Sequence, residues 1–181
     1  MTFSYIAPFE SEYTGEETAK AVVETLKERG MTIALAESCT GGLIAKMITD
    51  ISGASNVFHC GVVSYSEDIK QSVLGVTAEA LQQYSVVSPQ VAAQMADGVR
   101  SLAGADIGVG VTGVAGPGPD GSHPEGEIYI GLSTATGTFV YSLMTGTLNA
   151  REENRNKAAG TAFGIVELYL KDKLIVGGNN G

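Results

Sequence analysis

The chain is poor in the residues that build metal sites, disulfide frameworks and zinc modules. Its 181 residues include no tryptophan, two cysteines and two histidines. Cys39 and Cys60 are too few for a disulfide scaffold, and such sparse cysteine usage is typical of a reducing cytoplasm. The two cysteines and two histidines also lack the paired spacing along the sequence that a structural zinc site has. We therefore predict no metal and no disulfide.

Positive charge is also scarce. The sequence contains 11 Lys and Arg residues and 20 Asp and Glu residues, which gives a net charge of -9. Binding to duplex nucleic acid usually needs a basic patch, so we predict no nucleic-acid partner. A small phosphate ligand needs only one local pocket and stays possible. No apolar run approaches the roughly 18 residues of a membrane span, and residues 1–14 carry no signal-peptide pattern. We expect a cytoplasmic protein without a membrane partner.

Apolar periodicity indicates alternating strands and helices. The predicted helices cover 16–29, 40–50, 66–74, 77–83, 88–102 and 150–170. The predicted strands cover 32–36, 57–65, 105–111, 127–134 and 138–145, the last two as a hairpin. This alternation predicts a three-layer α/β/α sandwich with a mixed, mostly parallel sheet. We expect one domain over 16–172, an N-terminal arm over 1–15 and a flexible tail over 173–181.

The string AESCTGG lies at a predicted strand-to-helix turn and carries three neighbouring heteroatoms, on Ser38, Cys39 and Thr40. A helix N-terminus here could bind a phosphate, hold an oxyanion or present a hydroxyl for attack. Thr40 is predicted to be the N-cap, and Cys39 is favoured as a packing residue over a thiolate nucleophile. Gly41 and Gly42 allow either close approach to a ligand or tight helix packing.

Ser38 needs a base before its hydroxyl can act as a nucleophile. His59 lies within an apolar strand and His123 in a loop. With only these two histidines, a Ser-His-Asp triad is not favoured. A lysine of lowered pKa is another known partner of serine, and Lys70 is the best placed. The alternative is that Lys70 is a solvated helix residue paired with Glu67.

Two further segments could contact an anion. The string TGVAGPG, beginning with Thr112 and Gly113, can turn its N–H groups toward a ligand or form ordinary turns. It is neither a Walker loop nor a dinucleotide fingerprint. Arg151 and Arg155 share one face of the last predicted helix, where they form either a phosphate clamp or a solvated face beside two glutamates.

The strings AESCTGG, GVVSYS followed by Lys70, and TGVAGPG together resemble the CinA C-terminal domain family, in order and over about residues 16–170. The resemblance is to the free-standing form, whose characterised members are nicotinamide-nucleotide amidases. It implies hydrolysis of nicotinamide mononucleotide to nicotinic acid mononucleotide and ammonia, in pyridine nucleotide recycling. A small nucleotide would be the substrate, and no cofactor is needed. We also expect a homo-oligomer.

The resemblance implies that Ser38 is the nucleophile, that Lys70 is the base and that Tyr65 supports them. The implied substrate-binding residues are Cys39, Thr40, Gly41, Gly42, Thr112, Gly113, Arg151 and Arg155. The chain departs from the family over 119–127, where HPEG replaces a string like KPVG and Glu127 follows. Extra carboxylates beside a phosphate site predict weaker substrate binding. The alternative functions are a non-catalytic nucleotide-binding protein and a competence-related interaction protein.

Overall fold

Six strands and six α-helices make up the fold, for which the computed structural model describes residues 2–9 and 15–177. The strands are β1 (Ser4–Tyr5), β2 (Ile33–Glu37), β3 (Phe58–Val63), β4 (Ile107–Gly113), β5 (Glu127–Thr134) and β6 (Gly137–Met144). The helices are α1 (Gly15–Arg29), α2 (Leu43–Thr49), α3 (Glu67–Leu74), α4 (Ala78–Tyr84), α5 (Pro89–Ala103) and α6 (Arg151–Leu170). None of these helices is long and apolar enough to cross a bilayer.

All six strands form one sheet in the order β1-β6-β5-β4-β2-β3. The pairs β1–β6, β2–β3 and β2–β4 are parallel, whereas β4–β5 and β5–β6 are antiparallel. The predicted mixed, mostly parallel sheet and its terminal hairpin are confirmed.

Each face of the sheet buries its own apolar core. On β2, Ile33 and Leu35 belong to the cluster beneath α1, α2 and α6. The alternating neighbours Ala34 and Ala36 belong to the cluster beneath α3, α4 and α5. Successive side chains of a strand point to opposite faces, so a strand buried on both sides must be apolar throughout. The predicted three-layer sandwich is therefore confirmed.

Helix α5 lies unusually close to the sheet because glycines stand beneath it. A Cβ atom at Gly110 or Gly131 would overlap the backbone of α5 at Ala92 or Ala96. Close backbone approach is one of the few roles that only glycine can fill.

Several predicted boundaries differ from the structure. Helix α2 begins at Leu43 rather than at residue 40, and β4 continues through Gly113 into the predicted loop. The N-terminal arm contributes the edge strand β1, and the buried Ile6 next to it bridges to Val176. A strand of two residues has no period that a sequence can show. The rest of the arm, residues 10–14, and the last residues of the tail, 178–181, lie outside the described residues.

The loops that follow β2, β3 and β4 meet at one edge of the sheet. In sheets of this kind ligands bind beyond the carboxyl ends of the strands. The N-terminus of α6 reaches the same edge, where Arg151 contacts the loop after β4.

Candidate active site

A cavity of about 300 Å³ lies at this edge, between the three loops and the start of α6. Its polar side chains include Ser38, Tyr65, Lys70, Asp120 and Arg151. A larger cavity of about 950 Å³ lies on the α3–α5 face, but its lining has no lysine, arginine, histidine or cysteine. The smaller cavity is therefore the one equipped for proton transfer and anion binding.

A lysine–serine pair occupies the floor of the smaller cavity. The Lys70 ammonium donates to the Ser38 hydroxyl over 3.0 Å and to the Ser64 carbonyl over 2.6 Å. The Lys70 side chain is among the largest fully buried ones, with 1% of the residue exposed. The alternative of a solvated Lys70 is wrong, because α3 turns this residue inward onto the loop after β2.

Burial lowers the pKa of Lys70 below its ordinary value, because a charged ammonium loses its hydration there. Negative charge on Glu67, and on Cys39 in its thiolate form, acts in the opposite direction but does not cancel this effect on the pKa. The amine therefore loses its proton more readily than an exposed lysine. Once neutral, it can accept a proton from the hydroxyl that it contacts.

Cys39 is a poor nucleophile in this setting. Burial raises the pKa of its thiol to about 12, and only 6% of the residue is exposed. It packs in the core beneath α1, α2 and α6 while also bordering the cavity. The thiolate is the reactive form of cysteine, so the packing interpretation is the one that the geometry favours.

The N-terminus of α2 is occupied by a carboxylate of the protein itself. Glu37, the last residue of β2, accepts from the N–H groups of Gly42 at 3.0 Å, Ile44 at 3.1 Å and Ala45 at 2.8 Å. The predicted role of Thr40 as N-cap is wrong, because Gly42 holds that position. A ligand cannot use those first-turn N–H groups, since Glu37 already fills them.

The sequence predicts unpaired N–H groups in the AESCTGG loop, but the N–H group of Gly41 is also paired. The Gly41 N–H donates to the Ser38 carbonyl over 3.0 Å. The buried Thr40 hydroxyl has no hydrogen-bond partner among the described residues. Sequence reasoning passed over Glu37, although a carboxylate at the end of a buried strand is itself a signal that something must satisfy it.

The structure separates the two arginines of α6. Arg151 borders the cavity and donates to the Tyr65 hydroxyl over 2.8 Å and to the Gly116 carbonyl. Arg155 instead donates to the Thr40 carbonyl through Nε, over 3.0 Å, and through Nη2. The alternative of a purely solvated face is wrong. Arg151 can reach a ligand, while Arg155 braces the loop that carries Ser38.

The loop after β4 forms the opposite wall of the cavity. Thr112 and Gly113 border it, and the Thr112 hydroxyl donates to the Val86 carbonyl over 2.8 Å. The unusual carboxylates of this loop do not border it. Glu125 accepts from the Gly118 N–H over 2.8 Å, and Glu127 pairs with His123. Glu125 and Glu127 thus satisfy groups of the protein, whereas Asp120 is the carboxylate of this loop that borders the cavity. The expected weakening of anion binding by the carboxylates of this loop stays a prediction.

Within residues 2–9 and 15–177, no three His, Cys, Asp or Glu side chains gather in a way that could hold a metal ion. The cavity instead presents a hydroxyl, a buried amine, a phenol and a guanidinium.

Comparison with known proteins decides the family. The sequence model of the CinA C-terminal domain matches residues 15–170. The chain belongs to the CinA C-terminal domain family. A relative from Caldanaerobacter subterraneus, named as a competence-damage inducible protein, is 45% identical over 161 residues and 88% of this chain. A CinA-like protein from Desulfovibrio desulfuricans is 44% identical over 151 residues and 82% of this chain. The chain spans 39% and 36% of those two relatives.

Solved structures of competence/damage inducible proteins share most of the fold. The competence/damage inducible protein CihA from Agrobacterium tumefaciens superposes with a TM-score of 0.82 at 34% identity, covering 92% of this chain and 99% of that one. The competence damage-inducible protein A from Klebsiella pneumoniae gives a TM-score of 0.83 at 31% identity, covering 87% and 98%. The names of these CinA proteins state no reaction.

Proposed function

We propose that this CinA-family chain is an amidase that hydrolyses nicotinamide mononucleotide to nicotinic acid mononucleotide and ammonia. The observation that carries the proposal is the contact of 3.0 Å between the buried Lys70 amine and the Ser38 hydroxyl, inside a cavity that Arg151 borders. A base within hydrogen-bonding reach of a serine is the arrangement that acyl transfer requires. The family resemblance supplies the substrate.

In the first half of the reaction, neutral Lys70 takes the proton of Ser38 while the serine oxygen attacks the carboxamide carbon. The Ser64 carbonyl receives one amine N–H and thereby helps to direct the nitrogen lone pair at the hydroxyl. Because Gly41 and Gly42 donate elsewhere, we assign the oxyanion to backbone N–H groups around Cys39 and Thr40 or at Gly113, which borders the cavity. One such donor is typically worth about 3 kcal/mol in the transition state.

In the second half, the tetrahedral intermediate collapses as Lys70 returns the proton to the leaving nitrogen. Ammonia departs and leaves an ester on Ser38. A water molecule then gives its proton to Lys70 and attacks the ester carbon, which releases the carboxylic acid and restores the hydroxyl. Each proton taken by Lys70 is returned, so the cycle needs no further reactant.

Substrate recognition is assigned to the charges at the mouth of the cavity. Arg151 offers a guanidinium that suits a phosphate, and its bond to Tyr65 holds it at the rim. A cationic pyridinium ring near Lys70 would disfavour the protonated amine and so favour the form that acts as a base.

The proposal is tested by ammonia release from a panel of carboxamides that includes nicotinamide mononucleotide. We expect release by the wild type, and its loss in Ser38→Ala and Lys70→Gln. Lys46→Gln is the matched control, because Lys46 is exposed and pairs only with Asp50 over the described contacts. Saturable binding of the nucleotide without any ammonia would support the non-catalytic alternative and contradict the proposal.

A further inference from the structure

A second chain of hydrogen bonds runs beside the cavity and has no role in the proposed chemistry. His123 Nε2 lies 2.7 Å from the Ser85 hydroxyl, and His123 Nδ1 lies 2.8 Å from a Glu127 carboxylate oxygen. The other Glu127 oxygen accepts from the Tyr129 hydroxyl over 2.7 Å. With Glu127 as an acceptor, Nδ1 carries a proton in either protonation state of the ring.

Serine, histidine and a carboxylate in this order are also the parts of a hydrolytic triad. Two observations speak against Ser85 as a nucleophile. Its hydroxyl already accepts from the Val87 N–H over 3.2 Å, and Ser85 and His123 border neither of the two cavities described above. A reacting carbonyl therefore has no prepared place beside Ser85.

This series of hydrogen bonds, from Ser85 through His123 to Glu127, instead joins two walls of the active-site cavity. Ser85 directly precedes Val86 and Val87, which border the cavity on the α4–α5 side. On the other side, the His123 backbone exchanges two hydrogen bonds of 3.0 Å with Asp120, which also borders the cavity. The His123 ring is thus a cross-link between these walls.

Both ends of the cross-link are held firmly. Ser85 has a φ of +66°, a conformation that a non-glycine residue adopts only when its surroundings impose it. Its N–H donates to Leu81 over 3.1 Å, and its carbonyl accepts from the Ser88 hydroxyl over 2.9 Å. At the other end, Glu127 is the first residue of β5 and its carbonyl accepts from the Val114 N–H.

We propose that His123 is a positioning residue that clasps the loop over 114–126 against the α4–α5 turn and thereby sets substrate affinity. The inference rests on the proposed amidase function for its kinetic readout. The clasp acts on the cavity wall and not on Ser38 or Lys70, so its loss changes KM and spares kcat.

The kinetic test uses three variants. His123→Ala is expected to raise KM for nicotinamide mononucleotide about fivefold, as for one lost hydrogen bond, with kcat within about twofold. Ser85→Gly is expected to act in the same direction, and glycine tolerates the positive φ, so folding is preserved. His59→Ala, which alters an exposed histidine on β3, is the matched control and leaves both constants unchanged.

Amide hydrogen exchange tests the clasp without any reference to turnover. Amides within 114–126 are expected to exchange faster in His123→Ala and Ser85→Gly than in the wild type and in His59→Ala. If the wild type released no ammonia, the proposed amidase function would be wrong. The exchange measurement would still show whether His123 holds the loop over 114–126 in place. Unchanged exchange together with unchanged KM overturns the clasp.

A triad would give a different result. Hydrolysis of a simple activated ester that survives Ser38→Ala but disappears in both Ser85→Gly and His123→Ala would mean that Ser85 is a nucleophile. That outcome, or a loss of kcat as large as that of Ser38→Ala, overturns the positioning role.

Discussion

Two serines of this molecule each contact a base, yet their surroundings differ. Ser38 lies within the cavity beside the fully buried Lys70. Ser85 lies outside it, beside a His123 side chain that is 23% exposed, and uses its hydroxyl to hold its own turn. Judged by residue type alone, serine with histidine and glutamate would be the stronger candidate. Access to a cavity and desolvation of the base, rather than residue type, distinguish a candidate nucleophile from a structural serine.

The difference between Ser38 and Ser85 is tested most directly by replacing each serine with alanine. We expect Ser38→Ala to lower kcat/KM about 10⁴-fold or more, because it removes the attacking atom. Ser85→Ala should lower it less than about tenfold, since one hydrogen bond of the wall is lost. Steady-state ammonia release measures both. Equal losses in the two variants would contradict the distinction drawn here.

The base can be tested with a residue that keeps its charge. Lys70→Arg retains a donor toward Ser38 but cannot become neutral, because arginine stays protonated at any accessible pH. We expect kcat to fall about 10³-fold, the usual scale of general-base catalysis. Thermal unfolding of the variant, followed by circular dichroism, checks that the larger side chain has not disrupted the fold. Near wild-type kcat with an intact fold would remove Lys70 from its role as base.

The carboxylates of the two regions can also be compared. Glu37 is 1% exposed and accepts hydrogen bonds from three backbone N–H groups at the start of α2. Glu127 instead accepts a hydrogen bond from the half-buried imidazole of His123. We expect Glu37→Ala to lower the free energy of unfolding by about 2 kcal/mol, because buried donors lose their acceptor. Urea denaturation measures the change, and the exposed Glu28→Gln serves as control. A stability equal to that of the control would show that water replaces the carboxylate.

The pH dependence should reveal which base is used. Because burial lowers the pKa of Lys70, kcat/KM is expected to rise with pH and reach its plateau below the ordinary lysine value of about 10.4. The sign follows from the neutral amine being the active form, and the limiting slope is about tenfold per pH unit below the apparent pKa. A pH–rate profile measured with Lys46→Gln as control provides the check. A profile that falls with rising pH over that range would exclude a lysine base.

Local signals in the sequence predicted much of this fold. Helices α3, α4 and α5 follow the N-cap residues Ser66, Thr77 and Ser88, and each of these hydroxyls accepts from the N–H group three residues later. A hydroxyl before an amphipathic run is a local signal of a helix start. The apolar run over 32–36 likewise predicted the strand β2, which the structure shows to be buried on both faces. Such features depend on neighbours within a few positions, which a single sequence displays.

The features that escaped prediction depend on distant contacts. Lys70 is buried on a helix that packs against α5, and its contact with Ser38 spans 32 positions. The Ser85–His123 contact spans 38 positions, and no local pattern marks it. The reach of Glu37 into α2 was overlooked because a hydroxyl residue nearer the helix suggested an ordinary cap.

The brace between Arg155 and the Thr40 carbonyl has a consequence for biosynthesis. A ribosome makes the loop that carries Ser38 before it makes the arginine that braces this loop, which follows Thr40 by 115 positions. Arg151, which borders the same cavity, lies on the same helix and is also made after that loop. A growing chain therefore carries Ser38 and Lys70 for about 80 further residues before Arg151 is added, and premature termination before α6 would leave both groups without the two arginines of that helix.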